Sequence, residues 1–337
     1  LDGLESGDLP DSFVPGRHDV PDRFQISRKL YGREQEVEAL LATFGRVEAG
    51  SSEMLFVAGY SGIGKSALIH EVHPAIVRAR GYFIGGKFDQ FKRNIPYASI
   101  IEAFSDLVAQ LLTEPEARIA SWRVAILSAL GSNAAVAIDV LPDLALVIGE
   151  QPSVPELSGE AAQNRLNRVF LAFVRVFASA EHPLVLFLDD LQWADRPTLN
   201  LLRILVTDAE VGHLLVIGCY RDNEVDASHP LTLTLDAVTQ QRAAQAMAPV
   251  ETLRLGGLSA ETMARLVGDS VHTTADAAAP LADLVHRKTH GNPFFVNQFL
   301  RVLHQDKLLR FANGHWSWDL AEIEGRDITD NVVALMT

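Results

Sequence analysis

The chain has 337 residues, 48% apolar and 21% charged, which excludes a disordered polymer and supplies enough apolar material for two domains. A formal net charge of −14 opposes long-range attraction to nucleic acid or an anionic membrane, so an anion can bind only where local donors overcome that field. One cysteine, Cys219, excludes a disulfide framework and fits a reducing cytoplasm, and no apolar stretch is expected to reach the roughly 18–20 residues of a bilayer span.

Residues 1–27 are rich in Asp, Pro and Gly, with six acids against two bases over 1–23, and read as an acidic leader or linker. The chain opens on Leu1 without a signal-peptide pattern, and "DITDNVVALMT" at its other end begins a helical pattern, so both ends are expected to continue into a larger protein. A first domain is expected over 28–257. Its opening helix places Val37, Leu40, Leu41 and Phe44 at helical spacing. "EMLFVAG" (53–59) is a continuous apolar run of the kind that forms a strand covered on both faces. A helix from about Lys65 should be kinked or ended by Pro74. His70 and His73 fall on one helical face and are expected to be solvated, with no metal site built from histidine.

"GYFIGGKF" (81–88) is a second strand, and 97–180 is a helical insert. Ile100, Ile101, Phe104, Leu107, Val108 and Leu111 keep the helical period there, as do Leu166, Val169, Phe170, Phe173 and Phe177. "PLVLFLDD" (183–190) and "HLLVIGCYR" (213–221) repeat the buried-strand form, the latter burying Cys219, and "VETLRLGGL" (250–258) gives a weaker last strand. Strands alternating with helices predict an α/β fold with a parallel sheet and flanking helices. Residues 258–308 read as helical, with Ser259 as an N-cap and Gly291, Asn292 and Pro293 punctuating a helix end and the next start. From 309 on, "RFANGHWSW" alternates around Asn313-Gly314, which predicts a tight hairpin.

The chemistry is carried by "GYSGIGKSALIH" (59–70). Gly59-x-x-x-x-Gly64-Lys65-Ser66 matches the P-loop, or Walker A, pattern between a strand and a helix. Glycines let the backbone curl so that amides across Gly59, Ser61, Gly62, Ile63, Gly64, Lys65, Ser66 and Ala67 face phosphate oxygens, aided by the helix N-terminus. Lys65 reaches the outer phosphates and Ser66 offers its hydroxyl to Mg²⁺. The second half of such a site is acidic, and "LVLFLDDLQWAD" supplies it. Asp189 is placed to hold Mg²⁺ directly or through water, and Asp190 either polarises the attacking water or caps the next turn. Asp195 reads as the cap of the helix after it, and Trp193 as a packing residue. Arg221 either stabilises charge on the γ-phosphate or pairs with Asp222 or Glu224 at the surface.

With these residues in place, the chain resembles the STAND branch of the AAA-like P-loop ATPases, in particular the ATPase module of large sensor proteins. In those a Ser/Thr-kinase-like domain precedes the module, and GAF and histidine-kinase domains follow it. The resembling phrases are "RFQISRKLYGREQEVEALL", the loop itself, "GKFDQFKRNIPYASI", "HPLVLFLDDLQWAD", "GCYRDNEV" and "HGNPFFVNQFL", from about residue 12 to the end. The resemblance implies adenine contacts from the Tyr31 backbone and Arg33, against the plainer reading of a helix entry with a surface arginine. It implies that 258–308 is a lid whose Gly291 and Pro293 turn closes over base and sugar, where helix initiation is the plainer reading. Arg221 matches the family's sensor arginine, and 309–337 the beginning of a winged-helix-like domain.

The function this resemblance implies is a cytoplasmic Mg²⁺-dependent ATPase switch in a two-component sensor kinase. Its cofactors would be ATP or ADP with Mg²⁺. Its partners would be kinase and sensor domains of the same polypeptide and, where subunits assemble, further copies of itself. The alternatives are an ADP-locked scaffold with negligible turnover and an ATP-dependent transcription regulator, the latter opposed by the acidic balance. No protein-kinase active site is expected within the chain, since neither an "HRD" nor a "DFG" element occurs.

Overall fold

The computed structural model describes residues 23–27, 29–92 and 95–325. Most of the acidic leader, Arg28, the Arg93-Asn94 pair and the helical pattern at 327–337 lie outside the described residues. The described chain divides into two compact units: residues 33–256, and the residues up to Gly32 with those from Gly257 on.

In the unit 33–256, helix α1 (Glu34–Glu48) leads into β1 (Ser52–Ala58). With β2 (Tyr82–Lys87), β3 (Leu184–Asp189), β4 (Leu214–Tyr220) and β5 (Glu251–Arg254) it forms a five-stranded sheet of order β2-β3-β4-β1-β5. Every pairing is parallel, so Ala58, Lys87, Asp189 and Tyr220 all end on one edge. All residues of β1 and β4 are buried, as central strands covered on both faces require. β5 alternates between half-buried and exposed, which suits the sheet margin. It stops at Arg254, short of the expected 258, because Gly256 and Gly257 take the chain away after the Leu255 amide bonds Ala58 O at 2.8 Å.

The helix after the glycine-rich loop is α2 (Lys65–His70), and α3 (His73–Arg78) begins anew with Pro74 in its first turn, as the sequence predicts. His70 and His73 thus sit on two helices. His73 packs 4.2 Å from the Phe83 ring rather than in solvent, and burial, with His70 beside it, holds its pKa below the usual value. α1 buries Leu40, Thr43, Phe44 and Val47 and leaves Leu41 exposed, so the covered face is turned toward Thr43 and away from Leu41 relative to the apolar pattern.

The insert is helical: α4 (Ala98–Leu111), α5 (Glu116–Leu130), α6 (Ala134–Val140), α7 (Leu144–Ile148) and α8 (Gly159–Phe177). Phe104 of α4 stacks 5.4 Å from Phe170 of α8, and Phe173, Phe177 and Trp122 extend that aromatic core. The stretch Glu116–Val140, which holds an 18-residue window of mean hydropathy 1.4, reaches bilayer-span size by length and composition, contrary to the sequence expectation. It is two helices parted by the turn Gly131–Asn133, and it buries Trp122, Ile126, Leu130 and Ala137 in the core of this unit. Two further helices, α9 (Arg196–Thr207) and α10 (Pro230–Ala244), connect β3 to β4 and β4 to β5.

The second unit holds α11 (Ala260–Ser270), α12 (Ala275–Thr289), α13 (Pro293–Gln305), the hairpin β6 (Leu309–Ala312) and β7 (His315–Trp318), and α14 (Leu320–Glu324). Ser259 and Asn292 cap their helices as expected, and Asn313 and Gly314 adopt the positive φ that a tight hairpin turn demands. The segment before α1 packs here: Phe24 stacks 4.9 Å from His304, and the Tyr31 hydroxyl donates to Asp269 Oδ2 at 2.7 Å.

The unit 33–256 also contains a fully buried arginine. Arg242 donates to Val206 O, to Ser52 O at 2.7 Å and to Ala248 O at 2.8 Å, tying β1 to the ends of α9 and α10. Arg242→Met keeps the length but strands these carbonyls, and should lower the unfolding free energy by about 3 kcal/mol, read from urea denaturation. An unchanged midpoint and slope would contradict that role.

Candidate functional site

The glycine-rich loop leaves β1 at Gly59, whose amide is tied to Tyr220 O at 3.3 Å. Gly59 has φ +155°, and a Cβ there would lie 2.8 Å from Leu255 O and 3.1 Å from Ile63 Cγ2, so no side chain fits. Gly64 has φ +101° with open space beside it, and as the residue before α2 it offers no side-chain cap to the amides of the first turn. Ile63 is buried and anchors the loop, while Ser61, Gly62, Ser66 and Ala67 are exposed. With α2 only six residues long, local N–H groups rather than a long helix dipole supply the positive potential.

Lys65 is buried, and its ammonium donates to Gly59 O at 2.7 Å and Tyr60 O at 3.0 Å. Burial holds its pKa below the ordinary lysine value, with the carboxylates of Asp189 and Asp190 opposing. Asp189 ends β3, and Asp190 follows in the left-handed region at φ +56°, an uncommon conformation for a residue other than glycine. The Asp189 pKa is raised, first by burial and then by its neighbour Asp190, with Lys87 and Lys65 pulling the other way.

Two residues without a role in the sequence reading complete this edge. Lys87, at the end of β2 and in register with Asp189, places its ammonium 3.3 Å from Asp190 Oδ2 and 3.7 Å from Asp189 Oδ2. Gln192 donates to Asp190 Oδ1 at 3.0 Å and accepts from the Arg221 amide at 3.2 Å. The signal for Lys87 was its place at the end of a strand neighbouring the acids. Gln192 stood in a phrase already singled out, with nothing local to mark it.

Arg221 directly follows β4 on the same edge. Its guanidinium donates to Glu224 Oε1 at 2.8 Å, lies 3.4 Å from Asp190 Oδ1 and rests 5.8 Å from the Trp193 ring centre. The pairing with Glu224 weighed from sequence is therefore present, and contact with Asp190 accompanies it. Asp190 makes no cap bond to the following turn, so the capping alternative does not hold, whereas Asp195 caps α9 through the Thr198 amide at 2.8 Å. Trp193 does more than pack, since its indole N–H donates to Glu224 Oε2 at 3.0 Å. Cys219 is buried, which pushes its thiol far above the usual range and leaves it unreactive.

Of the residues the resemblance brought forward, Arg33 is buried, not a surface arginine. It donates to Gly256 O and lies 3.5 Å from Glu36 Oε1, so its guanidinium staples the entry of α1 to the chain after β5. Tyr31 lies in the other unit, its hydroxyl pKa pushed up to about 12, chiefly by burial. Pro293 stands at the start of α13, also in that unit, after Gly291 at φ +71°.

These donors fit a phosphate with its cation. Ser66 is exposed, Lys65 sits on the loop carbonyls, and Asp189, its pKa raised first by burial and then by Asp190, is a carboxylate whose charge a cation offsets. Because the folded state favours protonated Asp189, the ionised group costs stability at neutral pH. That cost disappears as pH falls through its raised pKa and is gone below about pH 4, the ordinary carboxylate range. Asp189→Asn should therefore raise Tm in the absence of nucleotide, by about 2–4 °C for each kcal/mol recovered, with the gain fading toward pH 4. A Tm at or below wild type at pH 7.5 would contradict this.

The AAA ATPase domain family matches residues 29–217, and a domain family of unknown function matches 260–317. Hybrid signal transduction histidine kinase G of Dictyostelium discoideum is 30% identical over 390 aligned residues, 96% of this chain and 11% of the relative. The peroxide stress-activated histidine kinase mak2 of Schizosaccharomyces pombe is 21% identical over 295 residues, 82% of this chain and 12% of the relative. The chain spans about a tenth of the length of the curated relatives it matches. Among solved structures, Cdc6p from Pyrobaculum aerophilum is 13% identical at a TM-score of 0.47, covering 84% of this chain and 65% of that one. A Walker-type ATPase of Pyrococcus abyssi is 12% identical at 0.45, covering 85% and 71%. The family match runs through the glycine-rich loop and the strand-end acids, and this chain belongs to the AAA ATPase domain family.

Proposed function

We propose that the chain is an ATP-hydrolysing switch module of a sensor kinase, belonging to the STAND branch of its family and working in the cytoplasm. The observation that carries this reading is the convergence of Lys65, Asp189, Asp190 and Arg221 at the carboxyl ends of adjacent strands. In this reading the loop amides from Ser61 to Ala67 hold the phosphates. Lys65 exchanges the carbonyls of Gly59 and Tyr60 for phosphate oxygens, and Arg221 leaves Glu224 to meet developing charge. Ser66 and Asp189 are the residues that would hold Mg²⁺, which when bound neutralises charge on the phosphate oxygens. Asp190 Oδ2 takes a proton from the attacking water. The adenine contacts of the Tyr31 backbone and Arg33, and the closing turn at Gly291 and Pro293, belong to the same proposal. Because the relatives are histidine kinases, the elements that read the nucleotide state are proposed to be kinase and sensor domains of one polypeptide.

A second reading, the ADP-locked scaffold, is favoured by one observation. Arg221 engages both Asp190 and Glu224, so the groups proposed for chemistry are paired at rest. Denaturing the purified protein and quantifying released nucleotide separates the two: stoichiometric ADP with no single-turnover hydrolysis selects the scaffold.

Lys65→Ala should weaken Mg²⁺-ATP binding by about a hundredfold or more, and Asp190→Asn should keep binding within a few-fold while lowering single-turnover hydrolysis about a hundredfold. Equilibrium dialysis and rapid-quench assays read these effects. Equal nucleotide binding by wild type and Lys65→Ala would overturn the nucleotide site, and undiminished hydrolysis by Asp190→Asn would remove that residue from the chemistry.

A further inference from the structure

We propose that Gln192 is the positioning residue that fixes the Asp190 carboxylate and couples it to the strand end carrying Arg221. The inference rests on the reading of Asp190 as the proton acceptor. Gln192 is 1% exposed and spans the ends of two strands, donating to Asp190 Oδ1 at 3.0 Å and accepting from the Arg221 amide at 3.2 Å. Both functional ends of its amide are used, which sets its orientation. Gln192 engages Oδ1, which Arg221 Nε approaches at 3.4 Å, while Lys87 lies 3.3 Å from Oδ2, the oxygen assigned to the proton in the proposed function.

The turn carrying Gln192 is seated so that the amide cannot swing away. It is the three-residue helix Leu191–Trp193. Leu191 is fully buried over Gly218 of β4, where an added Cβ would lie 2.3 Å from Leu191 Cδ1. On the other side Trp193 is held by its amide, bonded to Asp190 O at 3.0 Å, and by its indole, bonded to Glu224. The left-handed backbone of Asp190 is thus braced from both directions, and its side chain points where Gln192 and Arg221 hold it.

The test uses Gln192→Glu and Gln192→Leu in the full chain. Gln192→Glu keeps the volume and the acceptor for the Arg221 amide but turns an acceptor toward Asp190; Gln192→Leu removes both bonds. Both should bind Mg²⁺-ADP within about twofold of wild type, which also reports folding, and hydrolyse bound ATP about tenfold or more slowly at saturation. In the Asp190→Asn background the Gln192→Glu change should cost little more, because Gln192 acts through Asp190. A second readout, independent of turnover, is tightening of Mg²⁺-ADP by aluminium fluoride, which imitates the phosphoryl group in transfer. Wild type should show it and Gln192→Glu should lose it. Gln192→Glu hydrolysing at the wild-type rate, or losing the same factor with and without Asp190, overturns the proposal. If wild type shows neither hydrolysis nor fluoride-dependent tightening, the hydrolytic reading itself fails and this inference falls with it.

Discussion

Two adjacent carboxylates at the end of a buried strand are the constraint on which the rest of the site depends. Burial raises the cost of ionising Asp189, and the neighbouring Asp190 carboxylate adds to it. Each neighbouring element answers with a donor: Lys87 from the end of β2, Gln192 from the turn after β3, Arg221 from the end of β4, and Lys65 through its charge from the loop after β1. The parallel sheet makes this possible, since only parallel strands bring all their carboxyl ends to one edge. The fold and the site are therefore one arrangement seen at two scales.

The same electrostatics gives the resting molecule its character. Lys65 bonds the loop carbonyls, Arg221 is shared between Glu224 and Asp190, and Lys87 attends both acids. A ligand that replaces these internal partners can shift the structure only by the difference in its affinity for the two arrangements. A phosphate with a divalent cation matches every group at once. In the proposed reading, that complementarity is what links nucleotide binding to movement of the strand-end loops.

Much of this was legible in the sequence where the determinants are local. The glycine-rich loop, the break before Pro74, the strand runs and the Asn313-Gly314 hairpin each follow from a few consecutive residues. What escaped is non-local. Lys87 matters because β2 is in register with β3, about a hundred residues away, and Gln192 because its turn reaches the amide of Arg221. Arg33 is buried rather than on the surface, and its side chain bonds the Gly256 carbonyl, a partner that no spacing in the sequence marks. Residues 1–27 read as a leader or linker and those from 28 as the first domain, but Phe24 and Tyr31 find their aromatic and acidic partners beyond Gly257. Leu41 and His73 show the smaller version of the same limit, since which side of a short helix is covered depends on what packs against it.

The central claim is that phosphate and cation are taken up together by one sheet edge. It is tested most directly by the equilibrium affinity of the nucleotide-free chain for ADP with and without Mg²⁺. Reciprocal coupling predicts that the metal tightens ADP by about tenfold or more and that ADP tightens the metal equally. An ADP affinity unmoved by Mg²⁺, or no ADP binding at all, would contradict the account.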